Sequence, residues 1–493
     1  MTVSFSCFHV PKQCEALLRD GLHKTLTFEN HGRKLELKMP ELLPTHLEEI
    51  IRTLKLQQQD YLQKLRTNDV IDLVNEAVHK WLDPQYELRQ FADQWLPVIT
   101  GYDPEMTRLF LQSYLRQFRK EKLQRMVDED FSNPLVLDEF RPRQSGGLFR
   151  AYGPALATHV FSGNVPALPL WSLTAGLLVK SATLGKISSS EPLFPVLFAK
   201  TLQEIEPKLG ETMAMVWWKG GDEALELASF SKSEAVIAYG GDETIEAIKQ
   251  RIPSRTRFIT HGHKVSFGVI TNECLVGANA WKTAKLAALD ASWFDQQGCL
   301  SPHVFYVERG GKYSPKDFAQ MLANEMANFQ SKHPRAPLTK EEHHAILKKR
   351  ASLEFESYSN QGIHLLKSEQ GTNWTVVLRE SFDKETEIFP FSPLNRFVTV
   401  IAVDELQQVK EHVKQMKGYI QTVGIGCSPQ RFYDLIEMLG ECGVNRMCAL
   451  GSMPQPQPGW HHDGRFHLAD LVHFCDVEAS LEYQMDTFDP YRD

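Results

Sequence analysis

The chain has 493 residues, 42% hydrophobic and 24% charged, with a formal net charge of -8. That length predicts two to four domains whose cores need no covalent staples. The negative balance excludes a general pull toward nucleic acid or anionic membrane, so an anionic ligand has to be held by a local cluster of cations and amides. Eight cysteines are scattered without a CxxC pair or a zinc-ribbon spacing, which predicts reduced thiols and no structural metal.

The opening run MTVSFSCFHVPKQCEALL has no basic segment ahead of an apolar core, so no secretory leader is expected. The most apolar window, 165–179, is shorter than a bilayer span and carries Pro166 and Pro169. A cytoplasmic protein without a membrane span is the expectation.

In chain order, apolar residues at three- and four-residue spacing predict helices from Thr45 to Asp83 and from Pro104 to about Val127. The segment 134–152, with Gly146-Gly147 at its centre, reads as two extended runs in a protruding hairpin. Strands then alternate with helices: strands at Ala157–Phe161, Ala182–Ile187, Met213–Trp218, Ala235–Ala238 and Arg257–Thr260. A second alternating block has strands at Val304–Val307, Trp374–Leu378, Phe397–Ala402 and Tyr419–Val423. The pattern predicts an α/β fold with a mostly parallel sheet covered on both faces.

Four short stretches carry chemistry. Phe161-Ser-Gly-Asn-Val-Pro166 sits where a strand ends and a helix begins, a position that faces ligands in doubly wound sheets; Asn164 there is either a site residue or a helix cap. Lys186-Ile-Ser-Ser-Ser-Glu-Pro192 offers an ammonium, the hydroxyls of Ser188, Ser189 and Ser190, and helix N–H groups, enough for an anion or for a simple serine cap. Tyr239-Gly-Gly-Asp-Glu-Thr244 places Gly240, Gly241 and Thr244 where a pyrophosphate can approach backbone, although it is not GxGxxG and Asp242 can act as a cap. The fourth stretch, Asp295-Gln-Gln-Gly-Cys299, puts a thiol among small and polar neighbours, which suits an accessible sulfur more than a packing one.

The order of these motifs, with Thr260-His-Gly-His-Lys-Val-Ser266 between the third and fourth, resembles the aldehyde dehydrogenase superfamily. The stretches VFSGNVPALPLWSLTAGLLVKSATLGK, DQQGCLSPH and PGWHHDGRFHLADLV resemble more narrowly the LuxC-type long-chain fatty acyl-CoA reductases of bacterial luminescence. The resemblance implies a Rossmann-type NADP-binding domain over 1–133 and 153–268, a catalytic α/β domain over 269–450, and an oligomerisation hairpin and tail over 134–152 and 451–493. It implies Cys299 as nucleophile, Asn164 as oxyanion donor, and Lys186, Ser188, Ser189, Gly240, Gly241 and Thr244 at the cofactor.

Two departures sharpen the expectation. NAD-preferring relatives often carry a glutamate where this chain has Ser189, and a carboxylate would repel a 2′-phosphate, so NADPH is expected. The water-activating glutamate of the hydrolytic relatives aligns with Thr260; His261 and His263 are nearby as alternative acid–base groups. The implied reaction is reduction of an acyl-CoA or other acyl thioester to a fatty aldehyde through acyl-Cys299. The alternatives are an acyl-transfer or thioesterase subunit without hydride transfer, and a non-catalytic cofactor-binding protein. An acyl-transferase or synthetase partner and a homo-oligomer are expected. His461-His462-Asp463 lacks an evident third ligand and its adjacent histidines diverge, so no metal is expected.

Overall fold

The computed structural model describes residues 2–19, 21–30, 32–381 and 389–491. It divides into two compact units, one formed by 1–100, 108–262 and 457–493, the other by 101–107 and 263–456.

In the first unit, β1 (Thr2–Ser6), β2 (His23–Asn30) and β3 (Arg33–Pro40) form a small sheet of order β1-β3-β2 that the sequence pattern does not announce. The helical pattern expected over 45–83 is two helices, Pro44–Asp60 and Thr67–Leu82, parted by a short 3-10 turn at Leu62–Lys64. The expected hairpin is short: β4 (Arg141–Pro142) and β5 (Leu148–Tyr152) pair antiparallel, and the strand His473–Val477 pairs with the other edge of β5. Gly147 turns this hairpin at φ +74, where a Cβ would lie 2.1 Å from the carbonyl oxygen of Val477.

The main sheet of this unit contains β6 (Leu156–Val160), β7 (Ala182–Lys186), β8 (Met213–Val216), β9 (Ala235–Tyr239) and β10 (Arg257–His261), all parallel in the order β10-β9-β6-β7-β8. Every residue of β6 and β8 is buried, as strands covered on both faces require. Leu47, Ile50, Ile51 and Leu54 of the helix Pro44–Asp60 pack with Leu184, Ala214 and Val216 of the sheet. The chain steps outward from β6 through β7 to β8, then returns to β9 on the other side of β6. The crevice past the carboxyl ends of β6 and β9 is therefore a topological switch point.

The second unit holds a seven-stranded sheet built from β11 (Val265–Ile270), β12 (Pro302–Glu308), β13 (Ile363–Lys367), β14 (Thr375–Arg379), β15 (Phe397–Val403), β16 (Ile420–Gly426) and β17 (Arg446–Ala449). Its order is β13-β14-β15-β12-β11-β16-β17, parallel except between β13 and β14. The sequence boundary after 268 falls within β11, which lies near the middle of this sheet. Among the described residues, no helix is long and apolar enough to cross a membrane.

One buried ion pair ties the hairpin region to the sheet of the first unit. Lys180, at φ +61 in the turn into β7, donates to the carbonyl of Leu137 at 2.9 Å and meets Asp138 at 2.5 Å. Asp138 also accepts from the backbone N–H and the hydroxyl of Thr67, both at 2.9 Å. Burial lowers the Lys180 pKa and Asp138 offsets that shift. Asp138→Ala strands a buried cation and is expected to cost about 3–5 kcal/mol. Leu135→Ala nearby, at a side chain 42% exposed, is expected to cost under about 1 kcal/mol. Urea denaturation of both variants checks the contrast.

Candidate active site

In the first unit the site residues expected from sequence collect at strand ends. Asn164 follows β6, is exposed, and its Oδ1 accepts from the hydroxyl of Ser162 at 3.0 Å, so the amide NH2 is the edge turned the other way. Gly163 lets this turn lie against the next one: a Cβ there would come within 2.8 Å of Ser188 Oγ and 2.6 Å of the Glu191 nitrogen. Lys186, the last residue of β7, has its ammonium 5.8 Å from the Trp218 ring centre, and burial lowers its pKa against a smaller pull from Glu226. A partly desolvated ammonium at a strand end binds an anion strongly because little water has to be displaced.

Ser188 and Ser189 divide their work. Ser188 Oγ accepts from the Ser190 N–H at 3.2 Å and shapes the turn. Ser189 is exposed, and its Oγ accepts from the Trp217 indole at 2.9 Å, which fixes the oxygen and leaves its hydroxyl proton to donate. The helix cap belongs to Glu191, not to a serine. Its Oε1 accepts from the N–H groups of Leu193 and Phe194 at 2.8 and 2.9 Å, and burial pushes its carboxyl up to about 7. Gly240 donates its N–H to the His261 carbonyl at 3.2 Å, and Thr244 lies against it. Gly241, rather than Asp242, is the N-cap of the helix Asp242–Lys249, and no side chain caps that end.

Cys299 belongs to the second unit and is exposed. It lies on the loop entering β12, between a tight turn at 293–296 and Pro302. The amide-rich run ahead of it is an anchor. Phe294, Asp295 and Gln296 all have positive φ, at 45, 52 and 67. A second left-handed triplet, Leu394, Asn395 and Arg396, faces them at 61, 61 and 65. The guanidinium of Arg396 is fully buried 2.7 Å from the Asp295 carboxylate. The Gln296 side chain donates to the carbonyls of Pro302 and Phe397, at 2.7 and 2.9 Å, and accepts from the Phe397 N–H at 2.8 Å. Gln297 donates to the Asn395 side chain at 3.0 Å. Segments as far apart as Gln296 and Phe397, 101 residues in sequence, are thereby clasped, and the thiol emerges from the clasp. The carbonyl of Cys299 itself accepts from Ser266 Oγ on β11 at 2.8 Å.

Sequence reasoning misses the charged frame beside this loop. Burial lowers the pKa of Arg446, on β17, against smaller electrostatic pulls from Cys448, Asp290 and Cys299. It donates to the carbonyls of Ser452 and Met453, each at 2.8 Å. Asp290, with no exposed surface, accepts from the N–H groups of Gly451 and Met453 at 2.6 and 3.1 Å. The loop 450–455 is thus gripped by a guanidinium on its carbonyls and a carboxyl group on its amides. Residue type alone gives no signal for this pair, since Arg446 and Asp290 are 156 positions apart.

The histidines near the missing glutamate are also placed. Thr260 lies in β10; His261 hydrogen-bonds Asp463 at 2.7 Å and stacks on Tyr239. His263 and Lys264 fall in the second unit, where the Lys264 ammonium donates to the Gly418 carbonyl at 2.7 Å.

The family model described as acyl-CoA reductase (LuxC) matches residues 62–474. The chain belongs to that family. It is 23% identical over 469 residues to a long-chain acyl-protein thioester reductase of Vibrio harveyi, covering 92% of this chain and 91% of the relative. A protein of the same description from Aliivibrio fischeri is 25% identical over 427 residues, covering 85% and 84%. Among solved structures, aldehyde dehydrogenase 21 of Physcomitrella patens matches with a TM-score of 0.71 at 12% identity, over 94% of this chain and 96% of that one. Lactaldehyde dehydrogenase of Escherichia coli matches at 0.70 and 13%, over 97% and 99%. The fold of this reductase-family chain is therefore that of the aldehyde dehydrogenases.

Asp290 yields a pH prediction. Burial raises its carboxyl from 3.8 to about 7, partly offset by the two N–H groups it accepts. Between those values the folded chain holds a proton that the unfolded chain has lost, so this contribution to stability falls as pH rises across the window. Asp290→Asn is expected to flatten the slope, read as urea midpoints at about pH 5 and about pH 7. Equal slopes in the two proteins would reject the assignment.

Proposed function

We propose that this chain reduces a long-chain fatty acyl thioester to the aldehyde with NADPH, and that Cys299 carries the acyl group between the two halves of the reaction. The observation that carries the reading is an exposed thiol on a clasped loop with Arg446 in electrostatic range. The family match and the relatives named long-chain acyl-protein thioester reductases support the reaction class. Acyl-CoA and an acyl-protein thioester are the two candidate donors, and each delivers the same acyl group to the same sulfur.

The residues at the strand ends fit a phosphorylated dinucleotide. Gly241, with open space where a Cβ would stand, allows close backbone approach, Lys186 offers a desolvated ammonium, and Ser189 supplies an oriented hydroxyl in place of a carboxylate. Two of the structural neighbours, glyceraldehyde-3-phosphate dehydrogenases of Methanocaldococcus jannaschii and Bacillus halodurans, are complexes with NADP. NADPH, when bound, supplies the hydride that reduces the acyl carbonyl carbon.

The chain's own groups perform the remaining steps. The Cys299 thiolate attacks the thioester carbonyl, forming a new carbon–sulfur bond and an oxyanion. Collapse of that oxyanion expels the donor thiolate and leaves acyl-Cys299. After reduction the carbon bears oxygen, hydrogen and the Cys299 sulfur; carbonyl re-formation breaks the carbon–sulfur bond, releasing aldehyde and regenerating the thiolate. In both halves the Asn164 NH2 and the Cys299 backbone N–H are assigned to the oxyanion. With threonine at the position of the hydrolytic glutamate, the acyl-enzyme lacks that water-activating carboxylate and persists until reduced.

Exposed apolar residues on the C-terminal segment, among them Tyr483, Met485 and Phe488, support the further assignment of the hairpin and tail to pairing with a second copy.

Incubation with radiolabelled acyl thioesters, on CoA and on a carrier protein, tests the central assignment. Cys299→Ala is expected to lose covalent label and keep NADPH binding, whereas Asn164→Ala should keep the label and lose about 10²-fold in kcat/KM. Label retained in Cys299→Ala overturns the mechanism. Label without NADPH consumption across both donor classes would favour acyl transfer instead. For the cofactor, Ser189→Glu is expected to weaken NADPH more than NADH, measured as the ratio of the two Kd values by fluorescence titration.

A further inference from the structure

We propose that His261, His462 and Asp463 form a binding site for one divalent transition-metal ion of the zinc class. His261 ends β10, while His462 and Asp463 belong to the C-terminal loop, Asp463 lying 202 residues further along the chain. All three lie in the first unit. One ligand atom from each, two imidazole nitrogens and a carboxylate oxygen, lies within 4.8 Å of the others.

The local chain explains the convergence. The adjacent histidines do diverge: His461 is exposed and packs edge-on against Phe466, whereas His462 turns inward onto His261. Asp463 adopts φ +55, a left-handed conformation that Gly464 continues at +73, and this bend brings its carboxylate back to His261. The third ligand that the HHD stretch lacks in sequence is supplied by a strand end. A cavity of about 30 Å³ adjoins the cluster, lined by Tyr239, His261, His462, His467 and Ser172 among others. That volume is enough for an ion or a water molecule. The Nε2 atom of His467 is buried in its wall and hydrogen-bonds to nothing among the described residues.

The donor set decides the ion class. Two imidazoles with one carboxylate match zinc, cobalt or nickel, whereas magnesium and calcium prefer sites built wholly from oxygen. The Nδ1 atom of His261 lies 2.7 Å from the Asp463 carboxylate, and the His261 and His462 rings are stacked at 4.1 Å and 16°. Parallel rings direct their lone pairs along parallel planes, so sharing an ion requires one ring to turn about its Cβ–Cγ bond. That torsion is broad and costs little beside a metal–imidazole bond. Ion binding would displace the proton between His261 and Asp463 and would clamp the C-terminal loop to the end of β10.

Untagged, full-length chain stripped with chelator and titrated with Co²⁺ tests the site by calorimetry and visible absorption. About one equivalent is expected to bind with a nitrogen–oxygen spectrum and to raise Tm by mass action. Binding should be lost in His261→Gln and in His462→Gln, and kept in the control His461→Gln. The melting curve of each variant without metal checks that its fold is intact. No binding by the wild type, a thiolate-type spectrum, or equal loss in His461→Gln would each overturn the proposal.

Discussion

The contact on which the candidate site depends is the buried pair of Asp295 and Arg396. Each belongs to a run of three non-glycine residues in the left-handed region. Such residues cost about 1–3 kcal/mol apiece and persist only where their surroundings over-determine them. Here the surroundings are a fully buried carboxylate–guanidinium contact, the Gln296 side chain bonded to both strands it touches, and the Gln297–Asn395 bond. The arrangement fixes the path of the backbone into β12, and the exposed sulfur of Cys299 takes its position from that path.

The same logic extends outward through the second unit. Ser266 holds the Cys299 carbonyl from β11, and its oxygen also accepts from the Thr422 N–H of β16 at 3.1 Å. Thr422 is in register with Arg446 on β17. Four neighbouring strands therefore contribute to one end of the sheet, and the Arg446 guanidinium is held by the loop it restrains. The first unit solves a different problem with the same sheet type. Its strand ends carry small residues and hydroxyls, which on the proposed function leave space and donors for backbone approach and anion binding.

Much of this is legible in the chain. Alternating apolar runs point to the parallel sheet, and the positions of Asn164, Lys186, Ser189 and Gly240 at strand ends follow from it. What stays hidden depends on partners distant in sequence. The β11 strand escapes notice because Gly268 and Ser266 interrupt its apolar run; Gly268 is needed because a Cβ there would meet the Phe305 ring at 2.3 Å. Asp295 and Gln296 look like a polar loop because their partners come from another part of the chain, Phe397 lying 101 positions beyond Gln296. Glu191 reads as the residue after a serine cap, yet it is the cap, since its carboxylate folds back onto the helix N–H groups.

The fate of an acyl-enzyme turns on whether a base activates water, and the residues around Thr260 bear on that competition. A threonine hydroxyl is too weak a base to take a proton from water near neutral pH. The next residue, His261, is already hydrogen-bonded to Asp463 while stacked against Tyr239 and His462. Its Nδ1 is the nitrogen turned to that carboxylate, so any acid–base chemistry of this ring falls to Nε2. On the proposed mechanism, then, the position of the hydrolytic glutamate carries a hydroxyl and no carboxylate, which leaves reduction as the productive route for the bound acyl group.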